Sequence, residues 1–199
     1  MQLEVDDLAC RRGGRLVFEG VSFRLGAGEA LVVTGRNGAG KSTLIAAIAG
    51  LVRAEHGAIR ATVTGERALS ECLHLVGHRD ALKASLTAEE NLAFAAELLG
   101  DHRLAPADAL ARLGLPGAGA LPVGYLSAGQ RRRVTLARLL VARRPLWLLD
   151  EPLTALDAPA QELLGGIMVE HLGEGGLILA ASHSALPLSG ARELRLGVS

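Results

Sequence analysis

The chain has 199 residues, enough for one domain with a substantial core. Hydrophobic residues make up 49%, which argues against disorder. A formal net charge of +0 and an aromatic content of 3% argue against a protein that holds nucleic acid by bulk charge or base stacking.

In chain order, "LEVDDLA" and "GVSFRL" read as short strands, and "EALVVTG" as a buried one. The last ends in the glycine-rich turn "GRNGAGKST", and "TLIAAIAGL" follows as an apolar helix. "AIRATV" and "CLHLVG" are further strands. The middle is mostly helical. "TAEENLAFAAELLG" opens with a capping box, Thr87 with Glu90, and "PADALARLG" is a second short helix. A Gly/Pro-rich loop leads to Ser127, the expected N-cap of "AGQRRRVTLARLLVAR". After Pro145, "LWLLDEP" is a buried strand, "APAQELLGGIMVEHL" a helix, "GLILAASH" a buried strand and "ARELRL" an edge strand. This order predicts a single α/β domain over 1–199 with a parallel-rich core and a helical subdomain inserted at about 80–142.

Cys10 and Cys72 form no CxxC pair and are expected as reduced, partly buried thiols of a cytosolic compartment. "DLAC" resembles a lipoprotein cleavage site, but "MQLEVDD" before it is acidic and lacks an apolar core. The best apolar run, "LARLLVARRPLWLL", is cut by Arg143 and Arg144, so no membrane span is expected.

Three motifs carry chemistry. "GRNGAGKST" comprises Gly35, Arg36, Asn37, Gly38, Ala39, Gly40, Lys41, Ser42 and Thr43, and its first eight residues fit G-x-x-x-x-G-K-[ST]. Its glycines let backbone N–H groups curl around phosphate, Lys41 adds a charge, and Ser42 is placed for Mg²⁺. "LWLLDE" supplies Asp150 as a further Mg²⁺ holder and Glu151 to orient or deprotonate an attacking water. "LSAGQ" opens a helix, so Ser127, Ala128, Gly129 and Gln130 can face an anion.

"LSAGQ" ahead of "LLDEP", after a phosphate loop, resembles the ATP-binding cassette family. The resemblance runs from about residue 3 to residue 196. It implies a P-loop NTPase cassette with antiparallel N-terminal strands beside the core sheet, and ATP with Mg²⁺ as ligands. It also implies a homodimer in which Ser127 contacts the γ-phosphate held by the opposite subunit. "TALD" then places Asp157 in the dimer-crossing loop, and His183 matches the family's switch histidine, catalytic beside Glu151.

Two positions depart from the family pattern. "ACRRGGR" has no aromatic to stack on adenine, leaving Arg11 or Arg12 for that contact. His78, in "VGHRDALKASLTAEENL", stands where a hinge glutamine is usual. That stretch resembles, within the family, the heme-exporter ATP-binding subunits of bacterial cytochrome c maturation. The resemblance implies a peripheral location on the cytoplasmic face of the inner membrane. It implies permease partners CcmB, CcmC and CcmD, an indirect link to a heme chaperone, and no nucleic acid. His74 and His78 share no fixed metal spacing, so His78 is expected to sense nucleotide rather than to ligate heme. A cassette of another small-substrate exporter is the alternative, followed by a soluble cassette ATPase. "LSAGQ" and the lack of a guanine motif argue against a P-loop kinase or GTPase.

Overall fold

A computed structural model describes residues 1–62 and 67–197. Val63, the last residue of the strand expected from "AIRATV", lies outside the described residues. Two sheets organise the chain. Strands β1 (Gln2–Arg12), β2 (Arg15–Leu25) and β4 (His56–Thr62) form an antiparallel sheet with β1 in the middle. Strands β5 (Leu73–Val76), β6 (Leu146–Asp150), β7 (Leu177–Ala181), β3 (Ala30–Thr34) and β8 (Arg192–Arg195) form a parallel sheet in that order. β8 is an edge, as "ARELRL" suggests.

β1 and β2 run longer than the sequence pattern indicates. Gly13 and Gly14, both at positive φ, make a two-residue turn that pairs Arg12 with Arg15. Two positive φ values in a row twist the hairpin in the sense that strands prefer. The hydrophobic alternation of β1 breaks at Asp7, which sits at φ 47 where the register shifts. A Cβ on the facing Gly57 would fall 2.4 Å from the Asp7 carbonyl oxygen, so only glycine fits there.

β6 and β7 are buried at every position, which explains their unbroken apolar runs. Their side chains alternate between two cores. Leu146, Leu148, Leu177 and Leu179 join the cluster of helix α1 (Lys41–Ile48) and the antiparallel sheet. Trp147, Leu149, Ile178 and Ala180 join a second cluster with helices α2 (Ala88–Leu99), α3 (Pro106–Arg112), α4 (Ala128–Val141) and α5 (Ala158–Gly173). Full burial of each leucine or isoleucine among them contributes roughly 1.5–3 kcal/mol. The helices between β5 and β6 therefore share one apolar cluster with a face of the core sheet.

Both expected helix starts are present. Thr87 Oγ1 accepts from the Glu90 amide at 3.1 Å, and the Glu90 carboxylate accepts from the Thr87 amide at 2.8 Å. Ser127 and Gln130 repeat that exchange at 3.2 and 2.8 Å. Each such cap is worth about 1 kcal/mol. Cys10 and Cys72 are buried and unpaired. No helix among the described residues is long and apolar enough to cross a membrane.

Candidate active site at the phosphate loop

The turn of residues 35–40 links the carboxyl end of β3 to α1, which starts at Lys41, two residues earlier than the pattern suggests. Gly35, Gly38 and Gly40 all have positive φ. A Cβ on Gly35 would stand 2.6 Å from the Leu196 carbonyl oxygen, and one on Gly40 2.6 Å from Val17 Cγ1. The loop can close this tightly only with glycine at those two points. Lys41 is 8% exposed. Its ammonium donates to the Gly35 carbonyl at 2.9 Å and the Arg36 carbonyl at 3.4 Å, which holds it over the mouth of the loop.

β6 delivers Asp150 and Glu151 to the same end of the sheet. Ser42 Oγ donates to Asp150 Oδ1 at 2.9 Å, so the two expected Mg²⁺ holders converge. Glu151 takes φ 50, a left-handed conformation uncommon outside glycine. Its amide donates to the Ala181 carbonyl at 2.9 Å. Its carboxylate oxygen Oε2 lies 2.7 Å from Nδ1 of His183, two residues beyond β7. A cleft of about 440 Å³ is lined by Val17, Gly40, Lys41, Ser42, Thr43 and Glu151, among others. It opens at the carboxyl ends of parallel strands, where α/β sheets bind ligands.

The other expected residues lie elsewhere. None of Ser127, Ala128, Gly129 and Gln130 lines that cleft, and Ser127 is exposed at the start of α4. Gly129 instead meets the loop before α5, where a Cβ would fall 2.8 Å from the Ala155 carbonyl oxygen. Asp157 caps α5 by accepting from the Ala160 amide at 3.1 Å. His78 is exposed in the bend after β5 and does not line the cleft either. His74 faces the interior, its Nε2 2.9 Å from the Ala142 carbonyl oxygen. Burial pushes its pKa down to about 4. Arg11 is held by the Gly14 carbonyl at 3.0 Å and by Glu55 at 3.6 Å, and neither Arg11 nor Arg12 lines the cleft.

The sequence pattern does not reveal the part played by Arg132. This α4 residue is 3% exposed and donates to the carbonyls of Gly77, Asp150 and Glu151 at 2.8, 3.1 and 2.8 Å. Burial lowers its pKa from the usual arginine value, while the charges of Asp80, Asp150 and Glu151 act the other way. Within "RRR" it resembles a solvated basic run. A signal was available: Arg132 shares a helical stripe with Thr135, Leu136 and Leu139, all buried.

A second, larger cleft of about 550 Å³ includes Trp147, His171 and Arg144 at the opposite end of the sheet. Trp147 and His171 stack there, with ring centroids 3.8 Å apart.

The ABC transporter family pattern matches residues 18–154. The chain belongs to this family. The ABC ATPase is 52% identical to "Cytochrome c biogenesis ATP-binding export protein CcmA" of Bradyrhizobium diazoefficiens, over 99% of this chain and 98% of the relative. It is 50% identical to the protein of that name from Rhodopseudomonas palustris, over the full length of both. Among solved structures, an ABC transporter ATP-binding protein from Pyrococcus furiosus superposes with a TM-score of 0.84 over 98% of each chain, at 24% identity. That likeness bears on the fold alone. A second solved structure, the ATP-binding subunit of an ABC transporter, has a TM-score of 0.81 at 31% identity and covers 92% of this chain and 80% of its own. The ABC ATPase thus has the expected α/β cassette fold, with antiparallel N-terminal strands beside a parallel core sheet.

Proposed function

We propose that this ABC ATPase is the ATP-hydrolysing subunit of a heme-export complex serving cytochrome c maturation. The observation that carries the reading is full-length identity of 50–52% to relatives named as cytochrome c biogenesis export proteins. The geometry of the phosphate cleft supports hydrolysis as the activity.

In this reading the loop amides of residues 35–43 and the Lys41 ammonium bind the β- and γ-phosphates of ATP. Glu151, backed by His183, orients and deprotonates the attacking water. Two hard oxygens, from Ser42 and Asp150, meet at 2.9 Å, which suits an ion that takes one or two carboxylates plus phosphate oxygens. Mg²⁺ held by Ser42 and Asp150 would neutralise charge on the phosphate oxygens. Ser127 lies outside its own chain's cleft, which supports action on the nucleotide of a second copy across a homodimer. Asp157 would then lie in the crossing loop. Residues 80–142 would act as the helical subdomain.

The membrane partner would dock on α2. Phe94 and Leu98 are 54% and 71% exposed one helical turn apart, and the Lys83 ammonium sits 5.1 Å from the Phe94 ring centroid. Helix α2 follows the His78 bend in chain order, in line with a hinge between nucleotide site and partner. CcmB, with CcmC and CcmD, is the proposed partner set, and the bacterial inner membrane the proposed location. The test is co-purification of the tagged cassette with its membrane subunit in detergent, with Phe94→Asp and Leu98→Asp as variants. The proposal expects association that both variants weaken. Absence of any association with the unsubstituted chain would overturn it.

A further inference from the structure

Three arginines follow the "LSAGQ" motif, and the middle one is set apart from its neighbours. Arg131 reaches back to the Leu126 carbonyl at the entry of its own helix. Arg133 donates to the Gly114 carbonyl at 3.1 Å, at the surface. Arg132 is buried, and its guanidinium serves main-chain carbonyls of two other segments. One is the hinge bend after β5, through Gly77. The other is the end of β6, through Asp150, Glu151 and, at 3.5 Å from Nε, Pro152. Asp80 adds a carboxylate 3.8 Å away, and Thr135 Oγ1 donates to the Asp80 carbonyl at 2.9 Å. Five N–H groups in a rigid fork can hold several carbonyls at fixed angles, which a lysine ammonium cannot.

Glu151 is the residue that most needs such a hold. A non-glycine residue at φ 50 persists only where its surroundings over-determine it. Five contacts do so: its amide donates to the Ala181 carbonyl, its carbonyl accepts from Arg132 at 2.8 Å and from the Thr154 amide at 3.3 Å, and its carboxylate meets both Nδ1 and the backbone amide of His183.

We propose that Arg132 is a positioning residue for Glu151, fixing its peptide and tying that peptide to the hinge bend at Gly77. The proposal rests on the reading of Glu151 as the group that acts on water. Arg132 is buried and does not line the phosphate cleft. It sets where the carboxylate sits when ATP is bound, and a shift of the hinge bend reaches Glu151 through one guanidinium.

The experiment compares Arg132→Lys and Arg132→Gln with the unsubstituted full chain and with Glu151→Gln. Nucleotide-binding sites are counted with a fluorescent ATP analogue, and turnover is expressed per site. Size-exclusion chromatography with ATP and Mg²⁺ follows the dimer. Both Arg132 variants are expected to bind the analogue within about three-fold of the parent affinity. Turnover per site is expected to fall by about ten- to a hundred-fold, the scale of a misplaced reacting group. Like Glu151→Gln, they are expected to accumulate an ATP-loaded dimer, which a merely structural defect would not do. Turnover per site within two-fold of the parent overturns the proposal. So does loss of nucleotide binding in step with turnover, or failure of both variants to fold, either of which assigns Arg132 to structure. Normal hydrolysis by Glu151→Gln overturns the reading of Glu151 and, with it, the role given to Arg132.

Discussion

Nδ1 of His183 lies 2.7 Å from Oε2 of Glu151, joining the turn after β7 to the turn after β6. An ionised carboxylate only accepts, so Nδ1 carries the proton of that bond and Nε2 is left to face another group. His183→Ala removes the restraint on Glu151. Turnover is expected to fall by about a hundred-fold or more, with the KM for ATP little changed. Steady-state ATPase kinetics check this, and an unchanged kcat would contradict it.

Lys41 already bonds the carbonyls of Gly35 and Arg36, so its charge is in place before ATP arrives. Lys41→Ala removes the cation that would meet the β- and γ-phosphates. ATPase activity is expected to drop by at least about a hundred-fold. Retained turnover would mean that the chemistry lies elsewhere.

The phosphate loop and both capping boxes are legible in the sequence because their chemistry is local. Gly40 before Lys41, or Thr87 three residues before Glu90, acts on near neighbours. What depends on distant contacts is not legible. Arg132 carries the same letter as Arg131 and Arg133, and only packing of α4 against the ends of β5 and β6 buries it. The extension of β1 past Ala9 is hidden too, because the Asp7 bulge breaks the alternation by which a strand is read. His78 departs from the family pattern, yet its side chain lies outside the phosphate cleft.

That placement sharpens the expectation for His78. It is exposed between β5 and α2, so it should serve communication rather than chemistry. His78→Ala should leave ATP affinity intact while lowering stimulation of ATPase by the membrane partner about five-fold or more, the usual scale of coupling between sites. His78→Gln should restore part of the loss, since an amide also bridges by hydrogen bonds. ATPase rates with and without the partner measure this. Loss of ATP binding in His78→Ala would put the histidine in the pocket.

His171 stacks on Trp147, and burial pushes its pKa down to about 4, as for His74. The unfolded chain takes up a proton near pH 6.5, the folded one only near 4. Between those values the unfolded state binds more protons, so stability falls as pH falls, by about 3 kcal/mol per histidine. Above pH 6.5 the contribution is fully present, and below 4 the slope ends. His171→Phe keeps the ring stack and removes the titration. Urea denaturation at pH 7 and pH 5 should show a smaller loss of stability for the variant, and equal losses would contradict the assignment.

Glu151→Gln keeps the shape of the site and removes its base. The most direct measurement is the yield of c-type cytochromes in cells whose only copy of this cassette carries Glu151→Gln. Heme-stained cytochrome is compared with that of cells expressing the unsubstituted chain at equal level. The account predicts near-complete loss of c-type cytochromes, with the variant protein still present and still binding ATP. A full cytochrome yield in those cells would contradict it.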